Sequence, residues 1–114
     1  MGRGPKGDGF PGELEQMVML AALRLGDDAY GAAIGQDLEA SVGRRVSRGS
    51  IYVTLDRLEA KGWTRSSMSA PLPERGGRPR RIVEVTPAGV EQLRRSRAAL
   101  ETLWDGLEPL AREG

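Results

Sequence analysis

The chain has 114 residues, 39% of them hydrophobic and 29% charged, with a net charge of +1 and neither cysteine nor histidine. That length suits one small domain with a modest core, and the missing residues exclude disulfides, thiol catalysis, Ser-His-Asp chemistry and the usual zinc or iron ligand sets. No apolar run approaches membrane-spanning length and no signal peptide opens the chain, so a soluble cytoplasmic protein without cofactor, metal or membrane partner is expected, and not an enzyme.

Residues 1–11, MGRGPKGDGFP, are dominated by Gly and Pro and read as a flexible N-terminal tail. Glu13 to Leu25 reads as the first helix. Leu14, Met17, Val18, Ala21 and Leu25 share one face, acids stand in the first turn and Gly26 is the stop. Leu20 and Leu23 fall off that stripe, which suits a central helix or one that meets a second partner. After a turn at Asp27-Asp28, a second helix is expected from about Ala29 or Tyr30 to Val42. Its Gly31 and Gly35, one turn apart, admit a close helix neighbour.

The stretch Ser47 to Gly62 organises the rest. Ile51, Leu55 and Leu58 recur at helical spacing, Ser47 is a natural N-cap, and Gly62 stands just past the end. The residues left facing outward near its start are Arg48, Gly49, Ser50, Tyr52 and Val53. A cation, a bare backbone position, a hydroxyl and a phenol at a helix N-terminus suit a phosphate backbone or a base edge; an ordinary polar helix face is the plainer alternative. Two helices, a short turn and a basic start make a helix-turn-helix outline.

Trp63–Met68 and Arg81–Val85 read as two strands joined by a loop rich in Pro, Gly and Arg over 70–79. That hairpin is the wing of a winged helix-turn-helix. Its loop carries Arg75, Arg78, Arg80 and Arg81 around a Gly-Arg-Pro core, slim and cationic enough for phosphates or a minor groove. Thr86-Pro87 then starts a last helix, to about Asp105 or as far as Arg112, with Gly106 and Pro109 expected to fray or kink its end. Leu93, Leu100 and Leu107 repeat every seven residues, with Leu103 between them, Trp104 beside the seam and Ser96 as a polar break. This coiled-coil-like seam is expected to join two copies of the chain.

Charge follows the same division. From Arg44 to Arg81 ten basic residues face three acidic ones, a net of +7, which leaves −6 for the remainder. Such a polarised chain has the footprint of a polyanion binder. The fold expected is mainly α with a small β-hairpin: a winged helix-turn-helix DNA-binding domain over 12–85 and a C-terminal dimerisation helix over 86–114. The candidate DNA-binding residues are Arg48, Gly49, Ser50, Tyr52, Arg57, Arg75, Arg78, Arg80 and Arg81; the dimerisation residues are Leu93, Leu100, Leu103, Trp104 and Leu107.

With the pieces placed, the chain resembles the PadR family of transcriptional regulators. The matching stretches are Tyr30-Gly31-Ala32-Ala33-Ile34, then Gly49-Ser50-Ile51-Tyr52 with Leu55, Leu58, Glu59 and Gly62, then Arg80-Arg81 through Thr86-Pro87-Ala88-Gly89. It departs where the family usually has Pro after the Tyr of the third helix, here Val53, and aromatics in the second wing strand, here Ile82 and Val83. The single C-terminal helix resembles the short-tailed subgroup. The resemblance implies a homodimeric repressor on a pseudo-palindromic operator in double-stranded DNA. For some members it also implies a small aromatic effector near the dimer interface, where Trp104 would stack on it or fill the dimer core. The competing readings are a winged-helix protein-interaction module and a small-molecule-binding dimer without specific DNA binding.

Overall fold

Glu13 and Glu15 put negative charge beside the first free N–H groups of a helix, and the chain turns there into α1, Glu13–Leu25. The Glu15 carboxylate accepts the Gly12 N–H at 2.9 Å. The computed structural model describes residues 9–69 and 79–113; the stretch before residue 9 and the wing tip with Arg75 and Arg78 lie outside them. The buried face of α1 is Glu15, Val18, Met19, Ala21 and Ala22. Sequence periodicity pointed to a stripe rotated from this one; Leu14, Met17 and Leu25 instead pack at the edge of the core, whereas Met19 is fully buried. The reason is position. Helices α2 and α3 and the second strand all pack on α1, so its covered arc is wide.

A one-turn 3-10 segment, Gly26–Asp28, leads to α2, Gly31–Val42, which buries Ile34 and Leu38. Arg24 on α1 holds Asp37 on α2 through both carboxylate oxygens, at 3.0 and 3.2 Å. Gly43 ends α2 in the left-handed region, φ 70°, its N–H bonded back to Glu39. Ser47 caps α3, Arg48–Ala60, accepting the Ser50 N–H at 3.1 Å, and Ile51, Thr54, Leu55 and Leu58 are buried against α1 and α2. Lys61, just beyond, reaches the buried Glu15 at 2.7 Å.

The two strands, β1 (Thr64–Met68) and β2 (Arg81–Val85), form an antiparallel pair with Thr64 opposite Val85 and Met68 opposite Arg81. An isolated bridge between Tyr30 and Ile82, with the Val83 N–H bonded to the Ala29 carbonyl at 2.8 Å, docks β2 onto the α1–α2 connection. The core gathers Val18, Met19, Ile34, Leu38, Ile51, Leu55, Leu58, Trp63, Val83 and Leu93. Helix α4, Pro87–Trp104, starts at Thr86, whose Oγ1 accepts the Gly89 N–H at 3.1 Å and donates to the Gly62 carbonyl at 2.7 Å. The chain breaks at Gly106, φ 83°, and resumes as the short α5, Glu108–Glu113. The last helix is therefore two, divided at the glycine where a kink was expected.

Gly89 carries a steric demand of its own. A Cβ there would collide with the Trp63 carbonyl oxygen and stand 2.8 Å from Val85 Cγ1. Because the first obstacle is backbone, no side-chain rotation relieves it. Gly89→Ala should therefore lower stability by about 2–3 kcal/mol, read by urea or thermal unfolding. An unchanged midpoint would mean that α4 is not seated on this turn.

Candidate nucleic-acid interface

Every packed apolar residue of α3 lies on one side, which leaves Arg48, Gly49, Ser50, Tyr52, Val53 and Arg57 exposed on the other. The cap is self-contained: Ser47 Oγ accepts the Ser50 N–H and donates to Ser50 Oγ at 3.0 Å. Gly49 meets no atom within 4 Å of where a Cβ would stand. Its bareness therefore answers to nothing among the described residues, although glycine weakens a helix. Tyr52 is held more closely than the sequence suggested. A Cβ on Gly31 would lie 2.9 Å from its Cζ and Oη, so the glycine at the start of α2 seats this ring. Tyr52 offers only an edge outward.

The segregated charge of the sequence is partly neutralised in the fold. Arg44 pairs with Glu13 at 3.0 Å, Arg45 with Glu39 at 3.2 Å, and Arg65 with Glu84 at 3.1 Å. Lys61 is taken by Glu15. Among the described residues, the basic side chains of this region without a carboxylate partner are Arg48 and Arg57 on α3 and Arg80 on the wing. Arg80 stacks over the Tyr30 ring, 4.0 Å from its centroid, which fixes the guanidinium at the base of the wing. Sequence order could not reveal these partners, most of which come from other helices.

Arg81 has a different placement from its neighbours. Its guanidinium bonds Asp56 at 3.2 Å and Glu59 at 2.9 Å on α3, and Ser66 Oγ on β1 at 2.9 Å. Ser66 in turn donates to Glu59. The cluster straps the wing to the C-terminal half of α3, and the arginine faces two carboxylates rather than open solvent. The Ser66 hydroxyl and the Arg81 guanidinium together hold the Glu59 carboxyl below its ordinary value of 4.5. Asp56 and Glu59, one turn apart on the otherwise basic α3, were the sequence signal for such a strap.

The far side of the molecule carries the leucine seam. Leu93 is almost wholly buried in its own chain's core, so the outward part of the seam begins at Leu100. Leu100, Leu103, Trp104 and Leu107 are exposed, Leu103 to 71%. Beside them, Leu20 and Leu23 on α1 and Leu100 and Trp104 on α4 line a mainly apolar groove of about 510 Å³, with Arg94, Arg97 and Glu101 along it. Ser96, the polar break, is buried with its hydroxyl unpartnered among the described residues. No described helix is long and apolar enough to cross a membrane.

Three helices, a two-stranded wing packed on the third, and a free helix face beside that wing define a winged helix-turn-helix protein. Residues 19–95 match the profile of the transcriptional regulator PadR-like family, and the chain belongs to it. It is 42% identical over 77 residues to a transcriptional regulator of Mycobacterium tuberculosis, a match covering 68% of this chain and 67% of that one. It is 40% identical over 88 residues to an uncharacterized 37.1 kDa transposon protein of Streptomyces fradiae, covering 77% of this chain but only 23% of the other. A PadR family transcriptional regulator from Eggerthella lenta superposes with a TM-score of 0.63 at 28% identity, covering 90% of this chain and 88% of that one. A PadR-like regulator from Bacillus cereus has the same fold, with a TM-score of 0.68 at 22% identity over 86% and 90% of the two chains. Family membership makes the protein a transcriptional regulator, not an enzyme.

The strap has a pH signature. Because the Glu59 carboxyl is depressed in the fold, its contribution to stability is present above the unfolded value near 4.5 and is lost as pH falls through the folded one. Glu59→Gln should unfold more easily than the parent at neutral pH, and the gap should close as pH is stepped down below 4.5. Urea unfolding of both proteins across that range reads it. A gap independent of pH would rule out the charged strap.

Proposed function

We propose that the protein is a repressor that binds a pseudo-palindromic operator as a homodimer, each α3 entering a major groove with the two copies about one helical turn, roughly 34 Å, apart. The observation that carries this reading is the outward face of α3, where, among the described residues, Arg48 and Arg57 have no carboxylate partner and nothing lies within 4 Å of where a Gly49 Cβ would stand. An interior function would pair the cations and fill the glycine. An approach by a phosphate backbone or base edge needs both left as they are.

In this reading Arg48, Ser50 and the exposed edge of Tyr52 lie nearest the bases, and Arg57 meets the phosphates. Arg80, held on Tyr30, guides the wing toward the flanking backbone, with Arg75 and Arg78 at its tip as further phosphate contacts. Arg81 acts through the strap, setting the angle between wing and α3. The dimer forms through Leu100, Leu103, Trp104 and Leu107 with Leu20 and Leu23 of α1, a surface too apolar to stay open to water. A regulator acting on chromosomal DNA works in the cytoplasm.

Fluorescence anisotropy with the gene's own upstream DNA, against a scrambled duplex at two salt concentrations, tests the central reading. Tight binding that survives scrambled competitor and weakens with salt is expected. Equal weak binding to both duplexes would instead favour a protein-interaction module. Gly49→Ala should stabilise the fold by up to about 1 kcal/mol yet weaken specific binding. Unchanged affinity would overturn the close approach at this position. Leu103→Glu should give a monomer by light scattering and cut operator affinity by about 100-fold or more, since the second half-site is then lost. A dimer that persists would move the interface elsewhere.

A further inference from the structure

The exposed side of α3 carries a residue the regulator reading has not used. Val53 is 52% exposed, and with Ser50, Arg57 and Leu14 it borders a shallow hollow of about 490 Å³ beside Gly49. Gly49, Ser50 and Val53 stand at i, i+1 and i+4, so the glycine lies one turn before the valine on the same face. Glycine and a β-branched residue are both poor choices for an exposed helix face. Among the described residues, no element covers either one.

Two of the side chains bordering the hollow, Ser50 and Val53, have complementary chemistry. Ser50 Oγ accepts a hydrogen bond from Ser47, which leaves its own O–H free to donate outward. Val53, one turn on, presents only methyl groups. A donor beside an apolar patch matches one base edge in the major groove: thymine, with its O4 acceptor and C5-methyl. Guanine offers two acceptors and no methyl; cytosine offers a donor where Ser50 needs an acceptor.

We propose that Ser50 and Val53 together read a thymine in each operator half-site, Ser50 donating to O4 and Val53 packing on the C5-methyl. This rests on the reading of α3 as the helix that enters the major groove. It makes Val53 a specificity-determining residue, one helical turn before Arg57, whose phosphate contact supplies affinity without a choice of base.

The probe is a duplex enriched by the full-length protein from a randomised pool, with its thymines replaced one at a time. Deoxyuridine removes the methyl alone, and 5-methylcytosine opposite guanine keeps the methyl while replacing O4 with a donor. At one thymine per half-site, deoxyuridine should weaken the parent about fourfold, the value of one buried methyl. Val53→Ala should lose that sensitivity and keep the one to 5-methylcytosine; Ser50→Ala should do the reverse. Both positions are exposed, and circular dichroism checks that each variant folds. If a sequence is enriched but deoxyuridine changes nothing at any position, or Val53→Ala remains as sensitive as the parent, the thymine reading is overturned while the regulator stands. If no sequence is enriched, sequence-specific binding itself fails and this inference falls with it.

Discussion

The Trp63 carbonyl oxygen decides where the C-terminal helices of the chain go. It accepts the Thr86 N–H at 2.9 Å, and it sits so near Gly89 that only a residue without a side chain fits there. Thr86 adds a second tie by donating to the Gly62 carbonyl. The first turn of α4 is thus seated on the turn that ends α3, with backbone against backbone. Backbone contacts have no rotamers to relax into, so the direction of α4 is inherited from α3. Everything farther along α4, including the exposed leucines, is placed relative to the outward face of α3 by this one junction.

A second device sets the wing. Two strands alone are marginal, and this pair is steadied at the middle and one end of β2: Val83 bonds to the Ala29 carbonyl, and Arg81 is strapped to Asp56 and Glu59. Arg80 and Arg81 are adjacent, yet in a strand their side chains leave opposite faces. Alternation gives them opposite work. Arg81 turns inward to carboxylates on α3, and Arg80 turns to the Tyr30 ring with no carboxylate partner among the described residues. The wing therefore keeps an outward cation because its neighbour supplies the anchorage.

Helix existence was legible in the sequence because period, caps and stops agreed: Ser47 and Thr86 cap as read, and Gly26, Gly43 and Gly62 stand at positive φ. The wing strands were legible too, with β2 matching to the residue. What the sequence withheld was whatever depends on distant partners. Periodicity named a face for α1, but a helix packed on three sides buries Met19 and Glu15 as well, and no window of α1 alone carries that information. The run of basic residues looked like a uniform cationic surface. Its partial neutralisation comes from Glu13, Glu15 and Glu39, which lie outside the run in sequence and against it in space. Of the heptad-spaced leucines, Leu93 belongs to the protomer's core because α4 has not yet left the domain at that point.

The same logic sorts the candidate site. A residue whose type is explained by its own fold says little about partners: Gly31 is bare because Tyr52 lies on it, and Gly89 because a carbonyl does. Gly49 and Val53 are the opposite case, a bare position and an exposed branched side chain that no contact among the described residues accounts for. On a helix whose other face is closely packed, poor local choices with no internal reason mark where an outside surface is met. The exposed Leu20, Leu23 and Leu103 make the same point on the opposite side of the molecule, in apolar rather than polar terms. The two surfaces are chemically unlike: one is small, hydroxylic and cationic, the other aliphatic with a single indole. On the function proposed above, a fold that keeps these two surfaces distinct lets the first meet a polyanion while the second meets another copy of the chain.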